Sequence, residues 1–351
     1  MPAATPYLCV DLDRLRRNVR VVAERAAAQQ VALRPHVKTH KSPEIARLQL
    51  VHGAVGITVA TIGEAELFAR HGCEDVFIAY PLWLDERAAG RVRELTEKAR
   101  VAFAVDSAAA AANAGRLLGR TPVEVLVEID SGQHRTGATP EEAGAVATTA
   151  VRAGLEVRGV FTFPGHSYAP GAAESAARDE AAALAAARAS VEAAGIEVRV
   201  VSGGSTPTSA HTDTSVVTEL RPGVYVFGDA QQWELGTTTP DRIALSCRST
   251  VISHSGGRAV LDAGSKVLGA DRAGWSTGHG RLPAYPDARI VLLAENRAVV
   301  DMAGAPLPRL GTQVDVVPNH VCSAVNLVDD LWVEEAGALR AWPVAARGLN
   351  C

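Results

Sequence analysis

Residues 101–130 read VAFAVDSAAAAANAGRLLGRTPVEVLVEID. Two short runs, Val101–Asp106 and Val123–Asp130, flank an alanine-rich stretch. The runs are almost continuously apolar, as strands buried on both faces should be, and the stretch between them is a good helix former. Together they form a strand–helix–strand unit. The same kind of run recurs at Val31–Lys38, Val55–Thr61, Val76–Tyr80, Val157–Phe163, Val198–Gly203 and Gly223–Phe227, eight in all. Helical segments lie between most of them. Ser42-Pro43-Glu44 supplies an N-cap, a proline at the first helical position and an acid near the positive dipole end. Thr139-Pro140-Glu141-Glu142 is a capping-box start, with Gly154 as its stop, and Ala172–Gly195, alanine-rich with scattered charges, is a good helix former. Eight alternating units predict an α/β fold, a (β/α)8 TIM barrel over residues 15–235. An open doubly wound sheet is the alternative, but no GxGxxG follows the first strand.

From about residue 236 the pattern changes. Ile243–His254, Arg258–Asp262, Ala288–Asp301, Gln313–Val317 and Leu331–Trp342 cluster β-formers. They predict a mostly β C-terminal domain over residues 236–351, joined by an N-terminal strand within residues 1–14.

Composition narrows the function. Hydrophobic residues make up 47% and charged residues 21%, which excludes a mainly disordered chain. The net charge of −4 leaves no basic surplus to neutralise a nucleic-acid backbone. No apolar stretch approaches the roughly 20 residues that span a bilayer, so no membrane partner is expected. Residues 1–10 lack a signal peptide's basic and apolar regions. The five cysteines are odd in number and widely spaced, with no CxxC. A reducing, cytoplasmic location is the expectation.

On a barrel, chemistry comes from the C-terminal ends of strands. Here those ends are polar: Arg34-Pro35-His36-Val37-Lys38-Thr39-His40-Lys41, Asp130-Ser131-Gly132-Gln133-His134-Arg135-Thr136-Gly137, Gly165-His166-Ser167-Tyr168 and Ser202-Gly203-Gly204-Ser205-Thr206. The last, after strand seven, offers backbone N–H groups and hydroxyls in a loop where glycine lets an anion approach, or else it is an ordinary turn. Lys38, crowded by Arg34, His36, His40 and Lys41, should lose its proton readily, as Schiff-base chemistry needs. The alternative is a basic lip with no covalent role. His320 and Cys322 would share one face of a strand and bind a borderline metal such as zinc, unless they are simply buried.

These segments carry a family resemblance. RPHVKTHKS (34–42), DSGQHRTG (130–137), GHSY (165–168), SGGSTPT (202–208), ELRPGVYVFGD (219–229), DAGSK (262–266) and PNHVCSAVNL (318–327) occur in order along nearly the whole chain. The chain resembles the fold-type III pyridoxal-phosphate enzymes related to alanine racemase, and more closely the D-serine dehydratase / D-threonine aldolase group. The resemblance implies a barrel plus a β domain in a homodimer. It implies Lys38 as the catalytic lysine that carries pyridoxal 5'-phosphate. Arg135, Tyr168, Ser202, Gly203, Gly204, Ser205, Thr206 and Tyr225 would be further cofactor neighbours. His36, His40 and His166 are the candidates to face the substrate, a small D-amino acid, with His36 and His40 alternatively tuning Lys38 or holding the loop. His320 and Cys322 would hold a divalent metal, Zn2+ or else Mg2+ or Mn2+. The implied reaction is β-elimination of water from a D-3-hydroxy amino acid, giving a 2-oxo acid and ammonia. Retro-aldol cleavage to glycine and an aldehyde is the alternative; aldolases of the group tend to carry aspartate where Cys322 stands. A non-catalytic pyridoxal-phosphate-binding protein is the alternative of another class. One departure is Glu295-Asn296-Arg297, where the group usually carries two glutamates and a histidine.

Overall fold

The structure, a computed structural model, describes residues 4–351. The expected N-terminal strand begins within residues 1–14, of which residues 1–3 lie outside the described ones. The chain divides into two compact units. One comprises Val22–Lys38, Ala46–Gly223 and Leu349–Cys351. The other comprises the segment up to Val21, Thr39–Ile45 and Val224–Gly348.

Strand β1 (Tyr7–Asp11) and helix α1 (Leu12–Ala28) lead into the barrel elements. These are β2 (Ala32–Leu33), α2 (Pro43–Val51), β3 (Ile57–Val59), α3 (Ile62–Arg70), β4 (Asp75–Pro81) and α4 (Glu86–Thr96). They continue with β5 (Arg100–Val105), α5 (Ala108–Leu118), β6 (Val123–Glu128), α6 (Ala143–Arg152), β7 (Glu156–Phe161), α7 (Ala173–Ala193), β8 (Val200–Gly203) and β9 (Glu219–Leu220). The parallel strands run β2-β9-β8-β7-β6-β5-β4-β3. A bridge from His36 to Thr58, with Val55 and Thr58 N–H donating to the Leu33 and Pro35 carbonyls, joins the two ends. The eight-stranded parallel barrel read from the sequence is therefore present.

Its eighth strand is not where the sequence placed it. Val224–Val226 is a 3-10 turn, and the strand is Glu219–Leu220. Pro222 carries no N–H, so the ladder stops there. Beyond it, the Val226 carbonyl accepts from the Asn18 side chain at 3.1 Å instead of pairing with a strand. The first strand is shorter than expected too: Val37–Thr39 is a 3-10 turn, and Lys38 sits on it. The capping box at Thr139 and Glu142 forms as read, but it opens a 3-10 turn ahead of α6.

Side chains of β4 to β7 pack a core of Phe77, Ala102, Ala104, Leu126 and Phe161. The Phe77 and Phe161 rings meet edge to face at 5.0 Å, with small alanines opposite. Lower in the barrel, apolar packing gives way to ions. Arg34, 1% exposed, donates to Glu219 at 2.7 Å and to Asp75 at 2.7 Å. Arg158 lies 3.5 Å from both Asp75 and Glu124. Arg158 enters this network because the β6–β7 register shifts beside it, between Val125 and Leu126. Removing one partner of such a network leaves an unpaired buried charge. Arg34→Ala is expected to cost about 3–5 kcal/mol in urea unfolding at pH 7. A loss under about 1 kcal/mol would show that the network relaxes around the gap.

The second unit contains α8 (Ala230–Glu234), β10 (Leu245–Ser255), β11 (Arg258–Leu261), α9 (Ser265–Leu268), β12 (Gly280–Arg281), β13 (Arg289–Leu293) and β14 (Ala298–Asp301). It ends with β15 (Gln313–Pro318), α10 (Val321–Val325), β16 (Asp330–Glu335) and β17 (Ala338–Pro343). Its sheet runs β13-β14-β11-β10-β1-β16-β17, and β15 pairs with β10 and β12. β1 is thus a central strand here, antiparallel to β10 and parallel to β16. Among the described residues, no helix is long and apolar enough to cross a membrane.

Candidate cofactor and metal sites

Three expected residues meet around one that sequence reading passed over. Lys38 Nζ lies 5.8 Å from the centroid of the Phe163 ring. The Arg135 guanidinium carbon lies 5.3 Å from the same centroid, and the Tyr168 ring 6.2 Å from it. Phe163, two residues past β7, had looked like the end of a strand. The crowding expected around Lys38 loses a member, since Arg34 is committed to Glu219 and Asp75. His36 stays close: its Nδ1 accepts the Lys38 backbone N–H at 3.4 Å.

The loop after β6 is shaped by its own acid. Asp130 Oδ1 accepts from the Gly132 and His134 N–H groups at 2.9 and 3.0 Å, and its Oδ2 meets His134 Nδ1 at 2.8 Å. Glu128, one strand step from the loop, takes the Thr136 hydroxyl at 3.0 Å. Its Oε2 is buried with no hydrogen-bond partner among the described residues. Burial pushes this carboxyl up, against the pull of Thr136 and Arg135. Glu128, Asp130, Gln133, Arg135 and Phe163 line one small cavity. His166 is held elsewhere, by Asp179 on α7 at 3.2 Å.

The glycine loop is already organised. Gly204 has φ +84°, and a Cβ there would lie 2.6 Å from the Leu220 side chain. Only glycine fits such a position without strain. Ser205 Oγ shares hydrogen bonds with Ser167 Oγ at 3.0 Å and Thr208 Oγ1 at 3.1 Å. The Ser205 N–H goes to Thr208 Oγ1 at 2.8 Å, and the Gly204 N–H to Glu180 Oε1 at 2.6 Å. Ser202 Oγ donates to Glu219 at 2.7 Å and accepts from Arg221 at 2.5 Å. Arg221 also reaches the Thr162 carbonyl and lies over the Phe77 and Phe161 rings at 5.7 and 5.0 Å. Burial pushes Arg221 down to about 10, against the pull of Glu219 and Glu180. Neither Arg221 nor Glu180 was singled out from the sequence. The signal for Glu180 was there: it interrupts the buried face formed by Ala177, Leu184, Ala187 and Val191.

An amine beside an aromatic ring and a guanidinium, with a hydroxyl-rich glycine loop backed by a buried cation, fits pyridoxal phosphate. Lys38 would hold its carbonyl carbon. Gly203, Gly204, Ser205 and Thr206 would hold its phosphate.

The expected metal pair lies in the β unit, but not on a strand. β15 ends at Pro318; His320 is the N-cap of α10, and Cys322 lies in that helix's first turn. The chain turns because its polar groups are taken from the side. Asn319 donates to the Gly278 carbonyl at 2.8 Å, and the Val321 N–H donates to Asp229 at 3.2 Å. The fully buried Asp229 also caps α8, accepting the Gln232 N–H at 2.8 Å, and meets His320 Nδ1 at 3.3 Å. Cys322 Sγ lies 3.3 Å from Thr39 Oγ1. The charge of Cys322, with Asp229 assisting against burial, holds the His320 imidazole well above its usual range.

Among the described residues, no group of three His, Cys, Asp or Glu side chains forms a metal cage. Two soft-to-borderline donors do fit an open site completed by non-protein ligands. With a metal at His320, Asp229 on Nδ1 would be the carboxylate that orients the ring toward the ion. Asp229→Asn keeps the cap but drops the charge. It is expected to weaken zinc binding about 10–100-fold by equilibrium dialysis. Unchanged affinity would reduce Asp229 to a helix cap.

Two further expected residues lie in this unit. His40 is buried, and its Nδ1 accepts the Ser42 N–H at 3.1 Å. Tyr225 is buried on its 3-10 turn. Glu295 sits between β13 and β14, exposed and paired with Lys266 at 2.8 Å. The cysteines form no disulfide; Cys9, Cys73 and Cys247 are buried, and Cys351 is exposed.

A family described as "Alanine racemase, N-terminal domain" matches residues 10–231, and one described as "Putative serine dehydratase domain" matches residues 244–333. The chain is 36% identical to D-threo-3-hydroxyaspartate dehydratase of Delftia sp. (strain HT23), over 91% of each chain. It is 29% identical to D-threonine aldolase of Arthrobacter sp., over 99% of this chain and 93% of the relative. A solved metal-free cysteine-to-alanine variant of D-threo-3-hydroxyaspartate dehydratase superposes with a TM-score of 0.88. That structure is 32% identical, with 97% of each chain covered.

Proposed function

We propose, from the premise that this chain belongs to the alanine racemase-related, fold-type III family of pyridoxal-phosphate enzymes, that it is a lyase acting on a D-3-hydroxy amino acid. The reaction is β-elimination of water, giving a 2-oxo acid and ammonia. One observation carries the reading: Cys322 Sγ lies against Thr39, the residue that follows Lys38 in the chain.

When bound at Lys38, pyridoxal phosphate supplies an electron sink for negative charge at the substrate Cα. When bound at His320 and Cys322, a divalent metal supplies Lewis acidity for departing hydroxide, a poor leaving group in water. Lys38 Nζ, as the free amine, would take the Cα proton as general base. Phe163 and Arg135 confine that amine. Asp229 fixes the His320 ring. Lys38 Nζ then passes that proton to the departing hydroxide, which leaves as water, and the enamine product takes up water to give the 2-oxo acid and ammonia. The family reading also carries a homodimer, to be tested by sedimentation.

A second reading is retro-aldol cleavage, which the D-threonine aldolase relative favours. D-Threonine separates the two. Elimination yields 2-oxobutanoate and ammonia; cleavage yields glycine and acetaldehyde. The expected products are the first pair, and the second would assign an aldolase.

A further inference from the structure

Glu180 occupies the buried face of α7, where an alanine or leucine would fill the space without desolvating a charge. It is 1% exposed. Oε1 accepts the Gly204 N–H at 2.6 Å, while Oε2 is buried and has no hydrogen-bond partner among the described residues. A Cβ on Gly203 would lie 2.5 Å from Oε1. The carboxyl is therefore pressed against both glycines from the helix side. Arg221 is the charged group that acts on it among the described residues. Of the other elements against α7, the turn Gly165–Ser167 brings His166, which is held by the exposed Asp179, and the turn Pro140–Glu142 brings Glu142, which is held by Thr139. Burial pushes the Glu180 carboxyl up to about 7.

A phosphate dianion on this loop and a carboxylate behind it would be like charges sharing one backbone segment. A protonated carboxyl still accepts the Gly204 N–H and removes that repulsion. We propose that Glu180 is the positioning residue of the Ser202–Thr206 loop, fixing Gly204 from the helix side and taking up a proton when an anion binds. This rests on the loop being the cofactor's phosphate site.

The test is titration of the apoprotein with pyridoxal phosphate between pH 6.5 and 8.5, followed by cofactor fluorescence. Wild type is compared with Glu180→Gln, which keeps the acceptor without the charge, and with Glu180→Ala. Relative to Glu180→Gln, wild-type affinity should weaken about tenfold across that range. Glu180→Ala should bind more weakly at every pH. Pyridoxal, lacking the phosphate, should not distinguish wild type from Glu180→Gln. A measurement on wild type alone covers variants that fail to fold. Calorimetry of inorganic phosphate binding at pH 8, in two buffers of different ionisation heat, should show net proton uptake of up to one per site. Parallel profiles for wild type and Glu180→Gln, or zero proton uptake, would overturn the role of Glu180 while leaving the cofactor site standing. No pyridoxal phosphate binding by wild type would overturn both.

Discussion

Lys38→Ala is expected to lower kcat by about four orders of magnitude and to remove covalent attachment of the cofactor. The size follows from two tasks falling on one nitrogen. In the proposed reaction Lys38 would be both the attachment point for the cofactor carbonyl and the base for the substrate Cα proton. Its place supports both, since it sits on a 3-10 turn beyond β2 with its amine close to Phe163. Borohydride reduction of the loaded wild type, followed by peptide mass spectrometry, should locate the cofactor on Lys38. The variant should give no modified peptide. Modification at another lysine, or turnover within tenfold of wild type, would move the chemistry elsewhere.

Cys322→Ala and His320→Ala are each expected to lower elimination about 10^3-fold while leaving covalent cofactor attachment intact. Lewis-acid stabilisation of a departing hydroxide is worth several kcal/mol, and each factor of ten in rate is about 1.4 kcal/mol. Both variants should lose bound metal on dialysis, and a chelator should bring wild type to the same low rate. Added zinc should restore the chelated wild type but not the variants. The split between retained attachment and lost turnover matters, because a general collapse of the protein would remove both. Activity that survives complete metal removal would rule out a role for the pair in elimination.

Much of this was legible in the sequence because the signals are local. Short apolar runs separated by capped helices gave the barrel and the number of its strands. The glycine loop and Lys38 stood out as candidates because polar groups at the ends of barrel strands contrast with the apolar runs, whereas Arg135 became a candidate only through the family resemblance. Misplaced elements trace to competition that a single segment does not reveal. Gly223–Phe227 has β-formers, but Pro222 cannot donate to a ladder, and the Val226 carbonyl is taken by Asn18. His320 and Cys322 alternate as a strand would, yet Asp229, some ninety residues earlier, accepts the Val321 N–H where the helix begins. The residues overlooked were those whose roles need partners distant in sequence. Arg34 looked like part of a basic lip until Asp75 and Glu219 were found on either side of it. Arg221, Asp229 and Glu180 act through groups on other elements, and only Glu180 leaves a trace in its own helix.

The most direct test of the lyase reading is a single incubation of the protein, loaded with pyridoxal phosphate and zinc, with D-threo-3-hydroxyaspartate. Equimolar oxaloacetate and ammonia, with no glycine, is the expected result. Glycine with glyoxylate would contradict elimination and assign carbon–carbon cleavage to the same lysine.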